Sequence, residues 1–475
     1  MAGEGGPPDW SASQVAHAGR RLGIIEAVTA TALDPTIAVP PRPPRSALPH
    51  GPRTPGILQA LLFARAPLRN TMAVHRRFGE PFTVGSPGFG TSVVFSSPEL
   101  VKQIVTGDPQ VFHAGLANAP IRPVLGPWSL LALDRAPHMQ QRKLLLPPFH
   151  GERLRSYAGL IGELAEREIA SWPVGTPFRL HERMERLTLE VILDVVFGIT
   201  DEARKDELRQ LLPLLLRSSR MLVFWGAVLH RDVGPIRPRA TFRARRGAVD
   251  ALLYAEIADR RAMPAQERAQ RKDILSMLVE AEHEDGTPMG DAEIRDQLAT
   301  LVLAGHETTA TALTWAVDLL QRNPAVLARL RADEQDDTYL DAVIREVLRI
   351  RPVVPVVGRT VTESVRIGAH DIPAGADLAA AIVVTHHRED VYAQPARFRP
   401  ERFLNDEVPS YAWLPFGGGV RRCIGASFAQ FEMATILRVL ARTPLRLTSR
   451  RPEPIRATGV TIVPGRGVQV TRDVA

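Results

Sequence analysis

The residues of this chain best suited to metal chemistry sit in one short run, Phe416-Gly417-Gly418-Gly419-Val420-Arg421-Arg422-Cys423-Ile424-Gly425, which holds the only cysteine among 475 residues. A free cysteine taken alone behaves as a small buried hydrophobe. Its neighbours here point elsewhere. Consecutive glycines reach backbone angles closed to other residues, so the chain can wrap tightly and aim amide N–H groups at one point. Arg421 and Arg422 add positive charge, which favours the deprotonated sulfur that ligates metals. Gly425 lets the next segment, Ala426 to Leu440, begin close to whatever the sulfur holds. Phe428, Phe431, Ile436, Leu437 and Leu440 give that segment helical periodicity.

A second reactive grouping, Ala304-Gly305-His306-Glu307-Thr308-Thr309, lies in the middle of residues 293–321, which contain no proline. At about 1.5 Å per residue such a helix runs on the order of 43 Å, enough to cross a whole domain. Glycine and threonine are poor helix-interior residues, and a threonine hydroxyl can bond back to the carbonyl four residues earlier, which invites a local widening. Two charged pairs also share helix faces: His138 with Arg142, four apart, and Glu346 with Arg349, three apart.

The pattern Phe-Gly-x-Gly-x-Arg-x-Cys-x-Gly resembles the haem-binding loop of the cytochrome P-450 family of haem-thiolate monooxygenases. That resemblance implies Cys423 as the axial iron ligand and Phe416 as the aromatic residue that shields the sulfur. A thiolate ligand pushes electron density onto iron and favours O–O cleavage, whereas histidine suits carriers and peroxidases. Ala304 to Thr309 resembles the family's distal oxygen groove. Ala304 and Gly305 would leave room for dioxygen, Thr308 would supply a hydroxyl beside it, and Glu307, where bacterial members commonly carry Asp, would link that hydroxyl to solvent protons. Glu346 and Arg349, together with Arg402 in Phe398-Arg399-Pro400-Glu401-Arg402-Phe403, match the Glu-x-x-Arg helix and Pro-Glu-Arg-Phe loop. They would form a buried structural triad. His138, Arg142, Arg359 and Arg421 match the cations that neutralise the haem propionates. His306, His386 and His387 receive no role.

The resemblance spans about residue 48 to 470. It implies a mainly α fold with a smaller β-rich lobe, the haem lying between the long distal helix and the proximal Cys loop. The cofactor is expected to be haem b held non-covalently, because one cysteine cannot build Cys-x-x-Cys-His. One cysteine also rules out an internal disulfide and fits a reducing cytoplasm. Residues 1–47, rich in Ala, Pro and Gly, read as a poorly ordered leader, and 48–475 as a single catalytic domain. A hairpin is expected at 80–95, strands at 352–385, and a last hairpin at 458–471 turning across Val463 to Gly467. The most apolar stretch, 298–320, carries His306, Glu307 and Asp318, so it reads as a buried helix and no membrane anchor is expected.

The net charge of +7 is mostly arginine scattered along helices, which gives little support to nucleic-acid binding. With no dinucleotide fingerprint after its last haem motif, the chain needs outside electrons. An acidic ferredoxin, reduced by its own reductase, would dock near Arg421 and Arg422 of the monomer. Substrate and O2 would meet in a pocket drawn from Phe112 to Leu130, Leu211 to Leu229, Leu301 to Thr308, Val353 to Val357 and Val460 to Val463, with Phe224 and Trp225 as roof. Those segments are largely aliphatic and show no charged anchor, so a terpenoid, fatty acid or steroid is expected. Two rivals keep the haem: a peroxide-driven hydroxylase or haem-thiolate isomerase, which needs no Glu307–Thr308 pair, and a non-catalytic sensor, which needs no proton relay.

Overall fold

A computed structural model describes residues 37–86, 89–225, 238–332, 337–405 and 408–474. The helices used below are α1 (Pro98–Val105), α2 (Arg122–Leu125), α3 (Arg135–Leu145), α4 (Ala158–Ala170), α5 (Leu180–Ile192), α6 (Pro238–Ala262), α7 (Asp291–Arg322), α8 (Asp337–Ile350) and α9 (Ala426–Arg442).

The architecture is organised around α7. It starts where Glu293 accepts the Gly290 N–H at 2.8 Å, carries Asp291 and Glu293 in its first turn and Arg322 in its last, and stops at Asn323 before Pro324. Acidic N-terminal and basic C-terminal residues suit the helix dipole, and proline cannot extend the helix. Its apolar side chains point in nearly every direction, because helices surround it. Leu313, Trp315 and Ala316 join a core with Val343 and Val347 of α8 and Ile436 and Leu437 of α9. Leu298 and Val302 join a second core with Leu189 and Ile192 of α5 and Leu253 and Ile257 of α6. The long helix is thus the shared wall of two cores, and a shift in it would disturb both.

The β lobe is built on a five-stranded sheet in the order β1 (Phe82–Ser86), β2 (Gly90–Phe95), β8 (Asp377–Ala380), β5 (Val357–Val361) and β3 (Phe112–His113). Period-two alternation sends Val93 and Phe95 to one apolar cluster and Val94 to another, so both faces are covered. In β5 the register sets Arg359 opposite Leu378 of β8, which carries this arginine into the interior. Strands β6 (Val365–Ile367) and β7 (His370–Ile372) form a small hairpin. Strands β4 (Phe178–Arg179), β12 (Gln469–Arg472) and β9 (Leu445–Leu447) form a third sheet in that order.

Two expectations differ from what is seen. The last hairpin is formed by β10 (Ile455–Thr458) and β11 (Thr461–Pro464), and it turns at Gly459 and Val460, where Gly459 has φ +62°. A positive-φ glycine in a two-residue loop is the tight-turn solution. After Pro464, Gly467 also takes positive φ, and its carbonyl and that of Val468 accept the His181 and Leu180 N–H groups of α5 at 3.0 Å. This capture swings β12 into the β4–β9 sheet and away from β11.

Second, residues 37–47, within the stretch expected to be a leader, lie against the β lobe. Ile37 is buried, and Arg42 pairs with Asp377 of β8 at 3.0 Å. Arg45 donates to the Pro52 and Thr83 carbonyls at 2.8 and 3.0 Å. Extended proline-rich backbone leaves its arginine side chains free to make such contacts. Residues 1–36 lie outside the described residues.

Candidate active site

The middle of α7 departs from the burial of its surroundings. Ala304 is exposed and Leu301, Gly305 and Thr308 are partly so, while Val302, His306, Glu307 and Thr309 are buried. Positions i, i+3, i+4 and i+7 share one helix face, so a single stripe is accessible. Thr308 Oγ1 donates to Ala304 O at 2.6 Å, the back-bond that the sequence leads one to expect. Gly305 also serves packing: a Cβ there would stand 3.2 Å from Ile192 Cδ1, so glycine lets α7 approach α5 closely. Glu307 turns away from the stripe and accepts from Thr461 Oγ1 of β11 at 2.8 Å. The Thr188 hydroxyl donates to His306 O at 2.9 Å and lies 3.1 Å from His306 Nδ1, a partnership that fits a packing role for this histidine.

The cysteine loop folds by way of its glycines. Gly417 and Gly419 have φ of +66° and +63°, and a Cβ on Gly419 would collide with Val105 O at the end of α1. The Cys423 N–H donates to Phe416 O at 2.9 Å and closes the loop, and the Phe416 ring meets Trp413 edge-on at 6.0 Å. The thiol is accessible yet deeply enclosed. Burial pushes its pKa up, opposed by the Gly425 N–H, Arg142 and Arg422, which favour thiolate. Ile424, beside the cysteine, and Phe428 pack into the same apolar cluster as Leu301 and Leu303 of α7. Cysteine loop and stripe are therefore joined through one apolar core.

The cations cluster around His138. Arg359 is 5% exposed, its guanidinium bonds the Gly358 carbonyl at 2.8 Å, and burial lowers its pKa to about 10. His138 of α3 is buried and held neutral, with a pKa of about 3, by burial and by Arg421, Arg142 and Arg359. Arg142 is half-buried near Cys423. Arg421 turns inward: it bonds the Leu130 carbonyl at 3.2 Å, the Leu133 carbonyl and the Asp134 carboxylate, leaving Arg422 as the exposed member of the pair. Asp134, at the start of α3, also accepts the Gly115 and Leu116 N–H groups at 2.9 and 3.0 Å. Sequence reasoning gave it no role, although Asp just before a helical segment is a common capping signal.

Beneath α8, Glu346 accepts from Arg349 at 2.6 and 2.9 Å, from Arg402 Nε at 3.1 Å and from the Arg399 N–H at 2.9 Å. The three charged side chains are essentially unexposed. Arg349 reaches on to the His386 and Pro395 carbonyls at 2.7 and 2.8 Å. His386, neutral because burial and Arg349 lower its pKa well below the usual value, donates from Nδ1 to Arg349 O and accepts the Leu414 N–H at 2.8 Å. That imidazole ties the charged cluster to the segment entering the cysteine loop.

One buried acid escaped the sequence reading. Glu432 of α9 is fully enclosed, takes a hydrogen bond from Thr309 and has its pKa raised to about 8 by burial. It follows Phe428 by four positions and precedes Ile436 by four, so an acid on an apolar helix face was the available signal. The folded state keeps this group neutral, while the unfolded chain ionises it above about pH 4.5. Its contribution is therefore fully present below pH 4.5 and lost as pH rises toward 8. Glu432→Gln is expected to gain stability over the native protein by about 1 kcal/mol per pH unit across that window. Denaturant unfolding at pH 5 and pH 8 measures it; an equal difference at both would mean that Glu432 does not titrate on unfolding there.

The residues present fit a haem. The buried Arg359 and half-buried Arg142 without a carboxylate of their own, an enclosed thiol, and an accessible stripe of small and apolar residues on the same core as the thiol's loop match an apolar macrocycle carrying two carboxylates. The roof residues expected at Phe224 and Trp225 have side chains outside the described residues, and among those described no helix is long and apolar enough to cross a membrane.

Residues 49–467 match the family model described as Cytochrome P450. The chain is 43% identical over 443 residues to the Mycobacterium tuberculosis protein named as cytochrome P450 135B1, covering 90% of this chain and 93% of that one. It is 36% identical over 429 residues to cytochrome P450 135A1 of the same species, covering 89% and 94%, and 36% identical over 408 residues to its cytochrome P450 137, covering 85% of each. A family match over most of the chain, on a mainly helical fold with a β lobe, means that this chain belongs to the cytochrome P450 family of haem-thiolate monooxygenases.

Proposed function

We propose that this enzyme places one oxygen atom of O2 on a hydrophobic small molecule, by hydroxylation or epoxidation, using electrons from a separate ferredoxin and its reductase. The observation that carries this reading is that the accessible α7 stripe and the Cys423 loop both pack on one apolar core. Bound haem b supplies O2 activation, with two electrons and two protons yielding oxygenated substrate and water.

The chain's own residues do the rest. Cys423 would ligate the haem iron, its glycine loop fixing where the sulfur points, and Phe416 would cover it. Arg142, Arg359, His138 and Arg421 would hold the propionate end. Ala304 and Gly305 keep the oxygen side of α7 low. Thr308 Oγ1 donates to Ala304 O at 2.6 Å, which leaves its oxygen able to accept a hydrogen bond, and passing its own proton on requires that back-bond to open. Glu307, held by Thr461 away from the stripe, would resupply that hydroxyl by turning toward it from the β10–β11 hairpin. Ile121, Val124 and Leu125 stand against Val302 as apolar walls for substrate. Arg422, exposed beside exposed Val420 and Met139, offers the ferredoxin a basic and apolar contact.

The haem-thiolate assignment is tested first by the carbon monoxide difference spectrum of the reduced protein, where the thiolate Soret band is expected and its absence would end this reading. Thr308→Ala is then expected to lower product formed per NAD(P)H by about 10²-fold while NAD(P)H consumption continues, the reducing equivalents leaving as peroxide. Unchanged coupling in that variant would remove Thr308 from proton delivery.

A further inference from the structure

Around the propionate end, three guanidinium groups, those of Arg142, Arg359 and Arg122, make no ion pair with a carboxylate among the described residues, whereas Arg421 has Asp134. A haem brings two carboxylates, which Arg142 and Arg359 can match. Arg122 is left over.

Its position is not that of a loose surface arginine. Arg122 opens α2, whose Ile121, Val124 and Leu125 neighbours pack with Leu298 and Val302 of α7. The backbone there is pinned from outside, since Arg246 bonds the Pro123 carbonyl at 2.6 Å and Arg295 the Leu125 carbonyl at 3.1 Å. Arg122 Nε is buried and has no hydrogen-bond partner. Burial lowers its pKa, and the one charge opposing this is Asp134, whose oxygens already serve Arg421, Gly115 and Leu116. A half-buried cation with an orphaned donor is costly unless an anion joins it.

We infer that Arg122 binds a carboxylate at the edge of the substrate pocket, the acid group of a substrate or a haem propionate. This rests on the haem-thiolate reading, and it gives the Phe112 to Leu130 segment a charged anchor where none was expected. An acidic head held at α2 would lay an apolar tail along the Leu301 to Thr308 stripe.

The test uses the full-length haem-loaded protein with two probes, dodecanoic acid and its methyl ester, followed by the spectral shift each causes. The native protein is expected to bind the acid tighter than the ester by about tenfold to a hundredfold. Arg122→Gln should erase that preference and leave ester binding unchanged, with Arg122→Lys restoring part of it; this outcome identifies a substrate acid. Faster haem transfer to apomyoglobin in Arg122→Gln, rescued by lysine and with the acid-to-ester ratio unmoved, identifies a propionate instead. The inference is overturned if neither quantity changes, or if glutamine and lysine weaken acid, ester and haem retention alike. Absence of the thiolate band in the native protein would instead defeat the underlying reading.

Discussion

Cys423→His is expected to keep a haem but lose the thiolate Soret band of the ferrous carbon monoxide form, and to oxygenate substrate at least about 10³-fold more slowly. The magnitude follows from ligand chemistry: imidazole does not push electron density toward O–O cleavage as thiolate does. The loop should survive the change, because its course is set by positive φ at Gly417 and Gly419, by the close approach of Gly419 to Val105 and by the Cys423 N–H to Phe416 O bond, none of which uses the sulfur. Reduced-protein spectra and NAD(P)H-coupled product formation with a surrogate ferredoxin measure both effects. Retention of the thiolate band in this variant would show that another group ligates the iron.

Glu346→Ala is expected to destabilise the chain by about 3 to 5 kcal/mol, because it leaves two buried guanidinium groups without a counter-charge. Its carboxylate accepts from Arg349, Arg402 and the Arg399 backbone, so its loss strands two guanidinium groups and one amide. Arg402→Ala should cost less, since Glu346 keeps Arg349. The defect should also reach the haem, because Arg349 bonds the carbonyl of His386 and His386 holds Leu414 ahead of the cysteine loop. Urea unfolding and haem content after purification report the two consequences separately. Native-like stability of Glu346→Ala would mean that the cluster is not the support proposed for α8 and the loop.

What could be read in advance was whatever local chemistry dictates. The glycine loop at Cys423 announces itself because left-handed backbone leaves little choice of residue. The α7 stripe is legible because glycine and threonine interrupt a good helix, and Glu346–Arg349 because three residues is one helix face. Partners distant in sequence were harder. Nothing near Glu307 indicates Thr461, and nothing near Arg421 indicates that Asp134 turns it inward. The β10–β11 register was misjudged because Val463 to Gly467 contains turn residues as persuasive as those at Gly459, and the choice is made by α5, which takes the Gly467 and Val468 carbonyls. Glu432 was legible in principle and overlooked, since acids are ordinarily assigned to water.

The hydrogen bond from Thr461 to Glu307 joins positions 154 residues apart. During synthesis, α7 leaves the ribosome long before the strand that holds its acid, and Cys423 also follows it by more than a hundred positions. Helices and local contacts can form early, but the closure of such long loops comes late. The residues proposed to handle oxygen are therefore completed only when nearly the whole chain has been made, so a nascent or truncated chain lacking β11 carries Glu307 without its hydroxyl partner. Assembly order itself keeps the finished site from existing on an unfinished protein.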